Sequence, residues 1–171
     1  RYCVTVIVDG CASNAACTDV IVRPHPATTA TNNGPLCAGE TLLLGASSVT
    51  GGSYRWTGPG GFTSTQQNPS ITNAQPGNSG EYSVIVTVDG CPSAPAKTTV
   101  VVRARPVTVA ANNGPVCAGQ TLDLTATFVA GGTYRWTGPG GFTSTQQNPS
   151  IANAQTSNSG QYCVTVTVDG C

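Results

Sequence analysis

The chain has 171 residues, seven basic and seven acidic side chains that cancel, and a charged fraction of only 8%. That balance gives no footing for a nucleic-acid or anionic-membrane surface, which needs an excess of Lys and Arg. No apolar run is long enough to cross a bilayer, so membrane insertion is not expected either.

The first predicted element is Tyr2 to Val8, where Tyr2, Val4, Val6 and Val8 alternate with Cys3, Thr5 and Ile7, a half-buried strand pattern. Asp9-Gly10 marks a turn, and Thr18 to Arg23 reads as the returning strand. Arg23 to Thr31 is short and Pro-bearing, a stiff connection, and Asn32 to Pro35 is a turn. Leu42 and Leu44 alternate on the next strand, as do Leu122, Leu124 and Ala126 further on. Ser53 to Thr57 carries Trp56, Gly58 to Gly61 turns the chain back, and Phe62 to Thr65 is its expected partner. Pro69 to Thr72 is a short strand before the loop Asn78 to Gly80. No segment has helical periodicity, so the chain is expected to be all-β with about seven short strands per unit.

That unit is visible as a repeat. Tyr54 to Ile71 returns unchanged at Tyr134 to Ile151, an offset of 80 residues. Asn32 to Leu42 matches Asn112 to Leu122 at the same offset. Gln161 to Cys171 matches both Glu81 to Cys91 and Arg1 to Cys11. Tandem self-similarity of this kind signals an array of modules. The expected division is 1–23 as the C-terminal strand hairpin of an upstream unit, 24–104 as a complete unit, and 105–171 as a second unit lacking its last strand. The absence of a starting Met or leader fits a mature or excerpted segment. Units this small bury little surface and usually need staples, and eight cysteines point to disulfides and an oxidising, extracellular compartment.

A central Trp, then a loop ending S-G-x-Y before an alternating strand, resembles the immunoglobulin-like β-sandwich. The wider pattern runs from C-A-G-x-T-L-x-L through Y-x-W-T-G-P-x-G-F to S-G-x-Y-x-V-x-V-x-V-D-G-C. It resembles the immunoglobulin-like repeats of very large bacterial secreted and cell-surface proteins, which serve as stalks, adhesins and extracellular fibres. The resemblance implies Trp56 and Trp136 as core anchors and Tyr82 and Tyr162 as tyrosine corners. It covers both units and bears on fold more than on function.

The antibody-type core disulfide would need a Cys two residues after that tyrosine, where this sequence has Val4, Val84 and Val164. Leu44 and Leu124 are expected to face those valines, a hydrophobic pin in its place. The cysteines stand at the unit ends instead, and the expected staples are Cys37–Cys91 and Cys117–Cys171, each closing 54 residues. A loop of that size stabilises by about 4 kcal/mol in chain-entropy terms. Cys3 and Cys17 occur together in one copy and are Ser83 and Lys97 in the next, and both point outward by strand parity. They are expected to bond each other across adjacent antiparallel strands, contributing at most ~3 kcal/mol. Cys11 and Cys163 are then left for a neighbouring unit or subunit.

Chemistry finds little purchase. His25 is the single histidine, flanked by prolines, and no Cys-His spacing matches a zinc site. Asp9, Asp89 and Asp169 each precede Gly and read as turn residues. The connections carry no carboxylates for calcium, and no general acid/base pair can be named. Thr-Gly-Pro-Gly-Gly lacks the Lys and helix of a phosphate loop. The two tryptophans could stack on sugars, but core anchorage is the commoner role at this position. An isopeptide bond from Lys97 lacks an acid beside it in sequence, and its counterpart is Cys17. Thr28, Thr29 and Thr31 suit O-linked glycan or simply a Thr-rich strand, and no N-linked acceptor exists because Asn68 and Asn148 precede proline.

No catalytic residue, metal or cofactor is therefore expected. The reading that emerges is a structural repeat of an extracellular bacterial filament, its units head to tail and self-associating, stapled by disulfides. The alternative is the stalk of a cell-surface adhesin that binds glycan or protein. The adhesin reading wants a loop that varies between copies, and the WTGPGGF loop does not vary.

Overall fold

A computed structural model describes every residue from Arg1 to Cys171. The chain is all-β, with four single-turn 3-10 segments as its only helical elements. In residues 24–104 the alternating positions sort into two facing sheets. One is ordered Ser70–Ile71, Leu42–Ala46, Ala30–Asn32. The other has Ser53–Gly58 at its centre, flanked by Phe62–Ser64 and the nine-residue strand Gly80–Val88. Ala96–Val100 adds to the free edge of Gly80–Val88, and Val102–Arg103 then runs parallel to Leu36–Cys37 as a separate two-stranded ladder.

The core forms where the two inner faces meet. Trp56, Leu42, Leu44, Tyr82, Val84, Val100 and Val102 are all buried there. Val84 lies directly opposite Trp56 on the neighbouring strand and shares the core with Leu44, so apolar packing fills the place of an intersheet disulfide. The Trp56 indole N–H donates to the Gln67 carbonyl, which satisfies its one polar atom. Tyr82 Oη donates to the Asn78 carbonyl at 3.0 Å, four residues back, and Phe62 meets its ring edge-on. These contacts make a tyrosine corner, and with the strand order they make the unit an immunoglobulin-like sandwich.

The same elements recur in residues 105–171. Ala110–Asn112, Leu122–Ala126 and Ser150–Ile151 form one sheet, and Thr143–Ser144, Thr133–Thr137 and Cys163–Thr167 the other. Trp136 is fully buried and opposite Val164, and Tyr162 Oη donates to the Asn158 carbonyl. No strand covers the far edge of Cys163–Thr167. The consequence is measurable in burial: Tyr82, Val84, Leu36 and Leu42 are buried, whereas Tyr162, Val164, Val116 and Leu122 are only partly so.

Residues 1–23 differ from the expected pair of continuous strands. Tyr2–Val4 pairs with Ala16–Thr18, and Ile7–Val8 pairs with Cys11–Ala12, but Asp19 to Arg23 forms no strand. The counterpart of that segment, Thr99 to Arg103, lies largely in strand and buries Val100 and Val102. The pattern is the same in both places, and what differs is a sheet to lie on. An alternating sequence acquires strand structure when its apolar face is covered, and here Val20, Ile21 and Val22 are 55%, 80% and 88% exposed.

Candidate functional site

The features that neither core packing nor local turns explain lie at the pole where residues 24–104 meet residues 105–171. Two elements build it. One is the exit strand Val102–Arg103 beside Leu36–Cys37. The other is the turn Val168 to Cys171, where Asp169 and Gly170 both have positive φ, 49° and 85°. Successive left-handed residues make a tight hairpin turn, the conformation that Asp-Gly favours. The turn presents the Asp169 carboxylate and the Cys171 sulfur together.

Across the junction, Arg103 Nη1 donates to the Asp169 carbonyl at 2.9 Å while its Nε stands 3.8 Å from the Asp169 carboxylate. Arg105 Nε donates back to the Ala38 carbonyl at 2.9 Å, which fixes the connection against the end of Leu36–Cys37. Next to Arg103, Cys37 is covalently bonded to Cys171. The ion pair is solvent-exposed and contributes at most about 1 kcal/mol. The disulfide, spanning 134 positions, is the strong tie.

This connectivity corrects the expected staples Cys37–Cys91 and Cys117–Cys171. Cys37 sits at the pole where Gly80 pairs with Val100, whereas Cys91 pairs with Val88 at the other end of that strand. Nine residues at ~3.3 Å each put the poles roughly 25 Å apart, far outside disulfide reach. The cysteine that does reach Cys37 comes from the equivalent turn one unit later. Cys91, Cys117, Cys11 and Cys163 have no disulfide partner within the chain. Cys3 and Cys17 are bonded to each other across directly opposed positions of the opening hairpin.

The junction occurs twice. Arg23 forms an ion pair with Asp89, as Arg103 does with Asp169, 80 positions later in both members. Asp89 and Gly90 have φ of 47° and 82°, nearly those of Asp169 and Gly170. His25 Nδ1 lies 2.7 Å from the Pro92 carbonyl, to which it donates, and so closes the connection on the turn. The Asp-Gly turns were legible from sequence as turns. The second role of their carboxylates was not, although Arg and Asp recurring at one fixed separation is a signal that the repeat carries.

The remaining expected sites fall elsewhere. Lys97 Nζ is 2.8 Å from Glu81 Oε1, so an acid does stand beside it, supplied from the neighbouring strand. The hydroxyls of Thr28 and Thr31 bond within the sheet, to Ser47 and to the Gly45 carbonyl, while Thr29 is exposed and its hydroxyl unbonded. No three His, Cys, Asp or Glu side chains converge. Burial pushes the Tyr82 phenol above its ordinary pKa, which keeps it protonated as the donor of the corner bond.

No protein-family model matches the chain, and no curated protein matches it. Among solved structures, a chain from the crystal structure of a mouse coronavirus receptor-binding domain with its murine receptor is similar at 11% identity, covering 84% of this chain and 93% of that one, with a TM-score of 0.48. Murine CEACAM1b gives 12% identity over the same shares and a TM-score of 0.43. The three N-terminal domains of the bacteriophage RB49 Hoc capsid protein give 19%, 84% of this chain, 55% of that chain and 0.40. It is the chain's own strand order and its two tyrosine corners that make it immunoglobulin-like.

Proposed function

We propose that this chain is a structural repeat of an extracellular bacterial filament in which immunoglobulin-like units run head to tail. On this reading residues 24–104 and 105–171 are successive units, and residues 1–23 are the closing hairpin of the unit before them. The observation that carries it is the recurrence of one junction at an offset of one unit, Arg23 with Asp89 and then Arg103 with Asp169. A contact that repeats with the sequence period fixes one rotation and one rise per unit, and such an operation generates a filament when it does not close on itself. The Cys37–Cys171 bond makes that geometry covalent, which suits an oxidising space outside the cell. The resemblance of the C-A-G-x-T-L to V-D-G-C pattern to repeats of bacterial surface proteins supports the same setting.

Electron microscopy of the native material tests the reading. A fibre whose axial repeat matches one or two units supports it. Compact single particles of the 17.2 kDa chain as the native form would end it. Arg103→Ala should loosen the junction without unfolding either unit, and a variant with unchanged fibre stiffness and persistence would count against the role given to that pair.

A further inference from the structure

Tyr54 to Ile71 is identical in the two units, and the identity extends to side chains that lie open to solvent. Along Ser53–Gly58, Tyr54 and Trp56 face the core, while Arg55 and Thr57 alternate with them on the exposed outer face. Phe62–Ser64 is the edge strand of that sheet. Its register, Trp56 opposite Ser64, sets Thr63 beside Thr57 and Thr65 beside Arg55. Residues 105–171 repeat the arrangement: Arg135, Thr143, Ser144 and Thr145 line a shallow depression of about 410 Å³. Other exposed positions change freely between the copies. Leu43 becomes Asp123, Thr29 becomes Val109 and Ser48 becomes Phe128.

The polar groups of this face have no partner in the chain. Arg23 and Arg103 are ion-paired and Arg105 donates to the Ala38 carbonyl, whereas Arg55 and Arg135 form neither an ion pair nor a hydrogen bond. The neighbouring Ser64 and Ser144 hydroxyls accept local amides, but those of Thr57, Thr63 and Thr65 bond nothing, and the same holds for Thr137, Thr143 and Thr145. No acidic side chain lines the depression, and Glu81, on the same sheet of the first unit, is held by Lys97. We propose that this face of each unit binds an acidic polysaccharide. The arginine takes a uronate carboxylate, and the threonine hydroxyls take the sugar hydroxyls around it. The proposal goes beyond the filament reading and does not depend on it.

The chemistry selects this occupant. A guanidinium stays charged at every working pH, and its planar fork matches a carboxylate through two parallel bonds. A threonine hydroxyl both donates and accepts, as a sugar hydroxyl does, so the surrounding ring satisfies sugar groups in either sense. An acidic peptide would offer the carboxylate and leave most of those hydroxyls without a match. A second copy of the chain fits less well still, because its carboxylates are largely engaged. Asp89 and Asp169 are held by arginines, Glu81 by Lys97, Asp123 accepts from Asn113 and Glu40 from the Cys37 amide. One exposed arginine–carboxylate contact is weak and screened by salt. A polymer that engages Arg55 and Arg135 on the same chain gains avidity without any new contact.

Biolayer interferometry of the full chain over immobilised alginate, a polyuronate, tests the proposal. Saturable binding is expected, weakening as salt is raised. Neutral dextran should not bind. Arg55→Gln and Arg135→Gln should each weaken alginate binding, and the double variant should lose about tenfold or more as avidity goes with the sites. Both side chains are exposed, so thermal melting should be unchanged and a folding defect is ruled out in the same samples. Lysine at both positions keeps the charge and loses the fork, and should bind between wild type and the double glutamine variant. Wild-type chain that ignores alginate overturns the proposal, as does equal binding by the double glutamine variant or equal binding to dextran. Binding to dextran sulfate with none to alginate overturns the choice of a carboxylate. Self-association without polysaccharide that the double variant abolishes gives the face to a second copy, and overturns it too. Alginate binding by a chain that forms no fibres would keep this site and end the filament reading. Fibres that ignore alginate would do the opposite.

Discussion

Cys37 is bonded to Cys171, in the Asp-Gly turn of the following unit, and not to Cys91 in the matching turn of its own. The staple therefore holds two sandwiches in a fixed relation instead of closing either one. Stiffness between modules, more than stability within one, is what such a bond supplies.

Cys171→Ser should accordingly uncouple the two units. Scanning calorimetry is expected to resolve one transition into two, with a loss of no more than about 5 kcal/mol, the ceiling for a cross-link of this span. Cys91→Ser should leave the melting of a single chain unchanged, because Cys91 is unbonded there. The opposite ranking of the two variants would restore the within-unit pairing.

The fold was legible because its signals are local. Alternation named the strands, Asp-Gly and Gly-Pro named the turns, and Trp56 and Tyr82 sit where the S-G-x-Y pattern implies. The disulfide between units was not legible, for two physical reasons. Cysteine spacing along a chain does not say which pole of a sandwich each residue occupies, and identical units make pairing within a unit and pairing with the next unit equally regular. Asp169 was half legible: its turn follows from Gly170, while its ion pair depends on how the next module is seated. Likewise Asp19 to Arg23 carries a strand pattern that stays unstructured without a sheet to receive it.

Trp56 is fully buried against both sheets, so Trp56→Ala leaves a large cavity. Substitutions of this kind cost about 3–5 kcal/mol, a large share of the stability of a small domain. Residues 24–104 should lose their cooperative urea transition while the Trp136 fluorescence transition of the second unit survives. Simultaneous loss of both would mean that the units fold as one.

Gly58 approaches the Tyr82 ring so closely that an added Cβ would lie 2.4 Å from its nearest ring carbon. The backbone there is extended, with φ of −170°, so the demand is for space and not for an unusual conformation. The ring cannot retreat easily, being held by the Asn78 carbonyl and the edge of Phe62. Gly58→Ala is expected to cost about 1–3 kcal/mol through overpacking. Gly77→Ala, with open space around its Cβ and no positive φ, is the control and should be near neutral in the same denaturant titration.

Tyr82 sets an alkaline limit on the first unit. Its pKa is raised by burial, which disfavours the phenolate where water cannot reach it. The folded state then holds its proton more tightly than the unfolded state does. Stability from this group is fully present below the ordinary tyrosine pKa of about 10 and is lost as pH rises through the higher folded value. Residues 24–104 should thus weaken above about pH 10, with phenolate absorbance appearing as they unfold. Tyr82→Phe removes the titrating group together with its bond to the Asn78 carbonyl. It should cost about 1 kcal/mol at neutral pH and flatten the alkaline decline. A decline of equal steepness in that variant would assign the alkaline transition to another group.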